Sequence, residues 1–116
     1  MQNIDVTEAQ ALAQSGAVVV DVRRPDEWRA TGVVPGSLLI TAFDANGQPV
    51  AGFVEAVRSQ VKPDAPLVLI CRSGNRSAAA AQMLSAQDDD HSIYSMAGGV
   101  SAWARSGASL KPCPSC

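Results

Sequence analysis

The chain has 116 residues, 47% of them hydrophobic and 17% charged, which indicates one compact soluble domain and leaves no room for a second of ordinary size. The formal net charge of -2 gives no reason to expect a nucleic-acid or membrane partner, because such partners usually go with an excess of Lys and Arg. The N-terminal residues lack a signal-peptide pattern and no apolar run reaches membrane-spanning length, so we expect a cytoplasmic protein.

The first half of the chain alternates helix and strand patterns. Thr7 and Gln10 have the spacing of a capping box, which predicts a short helix over 8–14. Residues 17–22 form the β-branched run that is typical of a strand buried on both faces of a parallel sheet. Gly and Pro then mark out one or two helical turns at 26–30, a short strand at 37–40 and a turn at 44–49.

The second half continues the alternation. The apolar residues of 50–61 fall at helical spacing, and 66–71 is a second buried strand. An Ala-rich helix at 77–86, an exposed connection at 88–90, a strand at 92–96 and a closing helix at 100–105 follow in that order. This alternation predicts an α/β fold with a mostly parallel central sheet and helices on both faces. Ligands bind such sheets at the carboxyl ends of the strands.

The stretch CRSGNRS at 71–77 places a thiol between a strand and a helix. The unpaired N–H groups of a helix N-terminus and of a curled loop bind anions, and Gly74 permits the tight curvature. Arg72 and Arg76 add positive charges, which should move the pKa of the Cys71 thiol below the ~8.5 of a free cysteine. We therefore predict a nucleophile beside an anion site. The alternative is that Cys71 is merely the last core residue of its strand.

Four segments of the chain resemble signatures of the rhodanese family of single-domain sulfurtransferases, in the family's order. They are DVRRPDEW at 21–28, GVVPGS at 32–37, CRSGNRS at 71–77 and MAGGVSAWARSG at 96–107. Val33 stands where the family often has His, and the segment before Pro35 is one residue longer than usual, so we expect altered packing there rather than lost activity. The resemblance implies a three-layer fold with a sheet of about five strands. It covers a single domain at 1–110, followed by a flexible Cys-containing tail at 111–116.

The resemblance also implies a double-displacement cycle that needs no cofactor. Cys71 would attack the outer sulfur of a small anionic donor such as thiosulfate, release sulfite and hold a persulfide. A thiophilic acceptor such as cyanide or a thiol would then take the sulfur. Thiosulfate is favoured because amides flanked by arginines can bind a small dianion. We assign substrate binding to the rest of the loop, namely Arg72, Ser73, Gly74, Asn75, Arg76 and Ser77.

Two other functions remain open. One is a persulfide carrier or regulatory binding module that receives sulfur from a partner protein and delivers it to another. The other is an arsenate reductase or cysteine phosphatase, since these enzymes share the fold. Their loops have five residues between Cys and Arg, whereas four separate Cys71 from Arg76 here. A tighter ring of amides suits a sulfur atom better than a tetrahedral oxyanion.

Five further residues are candidates for lesser roles. Asp21 and Arg23 follow a strand and should lie near the same rim, where Asp21 either orients a loop arginine or hydroxyl or caps local backbone. Trp28 and Trp103 are expected in the core rather than at the entrance to the site. His91, the single histidine, is expected on the solvated surface.

The tail contains a separate cysteine pair. Three cysteines are too few for a disulfide framework, so we expect reduced thiols. Cys113 and Cys116 have the CxxC spacing of redox dithiols and of half a zinc site. Zinc would also require Cys71, His91 or a second chain, so we predict no metal. Our hypothesis is that the tail reaches the Cys71 persulfide and accepts or resolves its sulfur, the alternative being an inert tail.

Overall fold

The computed structural model describes residues 1–87 and 91–116, and these form a sheet of five strands with helices on both faces. The strands are β1 Gln2–Ile4, β2 Val18–Asp21, β3 Leu38–Leu39, β4 Leu67–Ile70 and β5 Ile93–Met96. The helices are α1 Val6–Gln14, α2 Pro25–Thr31, α3 Phe53–Gln60, α4 Asn75–Gln87 and α5 Gly99–Arg105. The predicted α/β architecture is confirmed. The exposed connection predicted at 88–90 lies outside the described residues.

The sheet is parallel throughout and has the order β1-β5-β4-β2-β3. Its centre is the pair β2 and β4, in register from Val18 opposite Leu67 to Asp21 opposite Ile70. All strands point the same way, so the loops that follow β2, β4 and β5 meet at one rim. Cys71, the residue after β4, lies at that rim.

Alternation along β4 sorts its side chains between two apolar layers. Leu67 and Leu69 belong to the cluster that packs under α3 and α4, whereas Val68 and Ile70 belong to the cluster under α1 and α5. Cys71 continues the first series and packs in the α3 and α4 layer. Because side chains alternate between the two faces of the sheet, the thiol of Cys71 lies under α4 rather than in solvent.

Three local features differ from the sequence-based expectations. The short edge strand β1 was not predicted, because three residues with a single buried apolar side chain carry no periodic signal. The capping box assigned to Thr7 and Gln10 is wrong: Asp5 caps α1 by accepting from Glu8 N at 2.8 Å, and Glu8 Oε1 accepts from Asp5 N at 3.2 Å. In addition, α4 begins at Asn75 rather than at 77.

The placement of the tryptophans is confirmed, since Trp28 and Trp103 are both buried. None of the described helices is long and apolar enough to cross a bilayer.

The C-terminal tail (residues 111–116) is attached to the segment that follows α2. Lys111 N donates to Val33 O at 2.7 Å, and Val33 N donates to Lys111 O at 2.8 Å. The guanidinium of Arg29 donates to the backbone oxygen of Cys116. Cys113 and Cys116 are joined by a disulfide, their Cα atoms being 5.5 Å apart, so the expectation of reduced thiols does not hold for this pair.

The first turn of α5 holds the backbone of the loop that begins at Cys71. Val100 N donates to Cys71 O at 2.8 Å, and Ser101 N donates to Arg72 O at 3.2 Å. Gly99 has a φ of +57°, and its Cα faces the same two residues so closely that a Cβ would collide with their backbone atoms. This contact fixes the position of the loop relative to the sheet.

We predict that Gly99→Ala lowers the free energy of unfolding by roughly 2–5 kcal/mol, because backbone strain adds to a clash that rigid neighbours cannot relieve. Gly107→Ala is the matched control: its φ is +90°, but nothing lies within 4 Å of the added Cβ. It should cost only about 1–2 kcal/mol. Denaturant unfolding of both variants measures the difference, and equal losses would show that the contact with the loop contributes nothing.

Candidate functional site

The thiol of Cys71 lies inside the turn formed by the residues that follow it. Its side chain is 1% exposed. Gly74 N donates to Cys71 Sγ at 3.1 Å, and the hydroxyl of Ser77 lies 3.5 Å from the sulfur. Gly74 has a φ of +111°, a backbone conformation that lets the chain turn back over the sulfur. The loop therefore directs its donors inward at one atom.

The environment of Cys71 stabilises its thiolate. Burial opposes ionisation and raises the pKa of the thiol, but hydrogen bonds from the Ser77 hydroxyl and from the backbone N–H groups of Ser77, Gly74 and Ser73 outweigh it. The net effect is a lowered pKa. We had expected the charges of Arg72 and Arg76 to produce this shift. The loop donors account for most of it instead.

Arg76 is held by an acidic partner from another element. Its Nη1 donates to Glu27 Oε1 and its Nη2 to Glu27 Oε2, each at 2.7 Å. Glu27 lies in the first turn of α2 and also accepts from Arg24 N at 3.2 Å. The hydrogen bonds from Arg76 lower the pKa of Glu27 from 4.5 to about 2, although burial partly opposes the shift. We call this fork of two hydrogen bonds the Glu27–Arg76 clamp.

Arg72 differs from Arg76 in its surroundings. Its side chain is exposed, and within residues 1–87 and 91–116 no carboxylate lies close enough to pair with it. The exposed side chains of Ser73 and Asn75 flank it. Of the two loop arginines, Arg72 is therefore the one available to an anion that approaches from solvent.

Asp21 and Arg23 form a buried ion pair at the end of β2. Arg23 Nη2 lies 2.8 Å from Asp21 Oδ2, and the two side chains are 1% and 0% exposed, respectively. Arg23 also donates to Thr31 Oγ1 at 2.8 Å and to Gly32 O at 2.9 Å. Asp21 accepts from Arg23 N at 3.0 Å, so it caps local backbone and contacts no loop arginine. The pair ties β2 to the end of α2 and so positions the helix that carries Glu27.

Ser95 on β5 is a buried part of the site that the sequence did not reveal. Its hydroxyl oxygen lies 2.8 Å from Ser77 Oγ, and both side chains are fully buried. Ser77 Oγ also donates to Gly74 O at 3.2 Å. A hydroxyl has a single proton to donate, so a bond donated by Ser95 leaves the Ser77 proton to be shared between Gly74 O and the sulfur.

The remaining candidates lie apart from these contacts. His91 is half-buried, and its Nε2 lies 2.8 Å from Lys62 O. Among the described residues, no group of three His, Cys, Asp or Glu side chains could hold a metal ion. A cavity of about 660 Å³ beside Val18, Val34 and Trp103 includes no residue of the loop.

Comparison with known proteins identifies the family. A family model described as a rhodanese-like domain matches residues 5–106. The chain belongs to the rhodanese family. This rhodanese domain is 35% identical over 102 residues to the thiosulfate sulfurtransferase GlpE of Pseudomonas fluorescens, covering 88% of the chain and 84% of that protein. A Pseudomonas aeruginosa protein of the same name is 36% identical, at 88% and 83% coverage.

The fold is shared with solved structures. The crystal structure of Rv0390 from M. tuberculosis matches the rhodanese domain with a TM-score of 0.83 at 22% identity, covering 97% of this chain and 98% of that one. The family predicted from four short segments is thus confirmed, and the curated relatives place the chain with the sulfurtransferases of that family.

We predict that Ser77→Ala raises the pKa of Cys71, because it removes a hydrogen-bond donor from the thiolate while leaving the loop backbone in place. The pH dependence of Cys71 alkylation by iodoacetamide should move toward higher pH. Ser73→Ala is the matched control, since Ser73 acts on the sulfur through its backbone N–H. An unshifted profile for Ser77→Ala would show that the backbone donors suffice.

A second prediction concerns the Glu27–Arg76 clamp. Glu27→Gln should lower the free energy of unfolding at pH 7 by about 1–3 kcal/mol, because it removes charge-assisted hydrogen bonds. It should also make phosphate a stronger inhibitor of Cys71 alkylation, since Arg76 is released and can bind phosphate beside the thiol. Because the pKa of Glu27 is lowered to about 2, its contribution to stability is present above pH 4.5 and is lost as the pH falls through about 2.

The control for this experiment is Asp26→Asn, which removes the same charge from the preceding residue. Asp26 is 60% exposed and pairs with Arg24. If Asp26→Asn reproduced both the stability loss and the phosphate inhibition, the effects would follow from net charge rather than from the clamp.

Proposed function

We propose that the protein is a cytoplasmic thiosulfate sulfurtransferase that carries sulfur as a persulfide on Cys71. The observation that carries this proposal is the convergence of a hydroxyl and three backbone N–H groups on one buried sulfur. Donors directed at a single atom stabilise a charge that stays there through the reaction. The relatives named thiosulfate sulfurtransferase support the same reaction.

The first half of the cycle loads the cysteine. The Cys71 thiolate attacks the outer sulfur of thiosulfate, a new S–S bond forms, and the donor's own S–S bond breaks. Sulfite leaves with the electron pair of the broken bond. The ring of amides that stabilises the thiolate is then in place to bind the terminal sulfur of the persulfide. Cyanide or a thiol removes this sulfur in the second half and restores the thiolate.

The charges around the loop favour a small anion as the sulfur donor. Arg72 is exposed, and backbone N–H groups supply the other donors. Arg76 is less available, because both of its terminal nitrogens already bind Glu27. We infer that Arg72 and the loop backbone through Ser77 bind the donor, while Arg76 holds the loop. Asp21 and Arg23 are positioning residues that act through α2.

The Glu27–Arg76 clamp also weighs against phosphatase or arsenate reductase activity. An arginine that binds a tetrahedral oxyanion must offer its fork of N–H groups to that anion. Here the fork is engaged by a carboxylate, and the loop is one residue shorter than in those enzymes. The 1% exposure of Cys71 likewise favours loading of Cys71 Sγ by a small donor over loading by the persulfide of a partner protein, the carrier function considered above.

The test is to incubate reduced protein with thiosulfate and to measure intact mass and peptide maps before and after cyanide is added. We expect one sulfur atom on Cys71, release of sulfite, and formation of thiocyanate when cyanide is added. Cys71→Ser should gain no sulfur. If wild-type Cys71 also gains none from thiosulfate, this donor is excluded, and a partner protein's persulfide becomes the donor to test, followed by arsenate and aryl phosphates.

A further inference from the structure

The C-terminal tail is attached beside the carboxyl end of β2, through Lys111 and the segment that begins at Gly32. The segment from Gly32 to β3 leads away from the rim that holds Cys71, because β3 runs parallel to β2 and must begin at the amino end of the sheet. Lys111 pairs with Val33 in the antiparallel direction. The tail therefore runs back the other way at Lys111. It then turns, since Cys116 N donates to Cys113 O at 3.2 Å, and the backbone oxygen of Cys116 accepts from Arg29 on α2.

Few contacts separate the anchor of the tail from the nucleophile. Lys111 packs on Gly32, whose carbonyl oxygen is 2.9 Å from Arg23 Nη2. The same nitrogen is 2.8 Å from Asp21. Asp21 lies opposite the residue before Cys71, on a neighbouring strand about 4.8 Å away. The five residues beyond Lys111 span up to about 17 Å when extended, and the inference below requires a released tail to cross this series of contacts to Cys71.

The pairing of the cysteines adds a second observation. Cys113 and Cys116 form a disulfide with each other, whereas Cys71 is a free thiol. A reduced CxxC pair gives up two electrons when it closes to a disulfide, and a sulfur atom bound to one of its cysteines can accept them. The proposed cycle leaves sulfur of the matching oxidation level on Cys71.

We propose that Cys113 and Cys116, when reduced, remove the sulfur from the Cys71 persulfide of the same chain and release it as sulfide. The disulfide in the structure is then the spent form of the tail. This inference rests on the persulfide of the proposed function and adds a reductive step to it. It assigns to the tail a second acceptor activity, which is distinct from transfer to cyanide.

The reaction proceeds by two thiol–disulfide exchanges. One tail thiolate attacks the outer sulfur of the persulfide, a new S–S bond forms, and the bond to Cys71 Sγ breaks. Cys71 leaves as the thiolate that its loop stabilises. The second tail thiolate then attacks the sulfur of the first tail cysteine, closes the disulfide between Cys113 and Cys116, and expels hydrosulfide. The transferred sulfur gains the two electrons that the tail thiols lose, and a dithiol reductant must then reduce the tail again.

The experiment is a single turnover without added reductant. Fully reduced protein is freed of reductant and mixed with one equivalent of thiosulfate, and sulfide, sulfite and the cysteine peptides are quantified over time. Cys113→Ser/Cys116→Ser and Cys71→Ser are treated in parallel, together with wild-type protein whose tail is oxidised. Each reaction is repeated at several protein concentrations.

We expect reduced wild-type protein to release about one sulfide per chain, to form the Cys113–Cys116 disulfide, and to react at a rate independent of protein concentration. The tail double variant and the oxidised wild type should keep the sulfur on Cys71 and release sulfide at least about tenfold more slowly. Cys71→Ser should release none.

Equal sulfide release by the double variant, or sulfur that stays on Cys71 of the reduced wild type, would overturn the inference. A rate proportional to protein concentration would overturn transfer within one chain. In these cases cyanide still removes the outer sulfur of loaded Cys71 as thiocyanate, and the proposed function stands. If thiosulfate loads no variant, the proposed function fails instead, and the same comparison is made with a low-molecular-weight persulfide as the donor, which tests the tail independently.

Discussion

A negative charge on a sulfur that is shielded from water requires protein groups to take the place of the water. Cys71 meets this requirement with backbone N–H groups from the turn that follows it and with one buried hydroxyl. Such donors act only at short range and in a narrow range of directions. The loop must therefore be held in one shape, and the surrounding contacts serve this end. The first turn of α5 holds the loop carbonyls, and Ser95 supports the hydroxyl of Ser77.

Of the three arginines near the rim, two are paired with carboxylates and one is exposed to solvent. Arg23 is buried against Asp21 and links β2 to the end of α2. Arg76 is paired with Glu27 at the other end of that helix. Arg72 alone of these three is exposed. A motif that looks strongly basic in the sequence thus leaves one cation facing solvent, and the backbone amides carry most of the stabilisation of the sulfur.

Much of the fold could be predicted because its signals are local. The β-branched run before Asp21 and the Ala-rich segment after Cys71 each specify their own secondary structure, and their alternation specifies a parallel sheet. The N-terminus of α1 was misassigned because Asp5 and Thr7 are each followed three residues later by a residue suited to a capping box. Spacing alone cannot choose between them.

The parts of the site that the sequence did not reveal depend on distant pairing. Glu27 and Arg76 are 49 residues apart, and Ser95 looks like an ordinary alternating residue of a strand. Cys71 and its loop were recognisable because the whole cradle lies within seven consecutive residues. The partners of Asp21 were within two residues of it, yet its side chain could face the loop or its own strand, and only the packed structure decides.

The low pKa of Glu27 keeps the support of the loop ionised in mild acid. The clamp stays charged down to about pH 2, so Arg76 remains engaged by Glu27 and α2 remains joined to the loop. The loop is therefore held in one shape across a wide range of pH, and a return from mild acid to neutral pH requires no reassembly of the clamp.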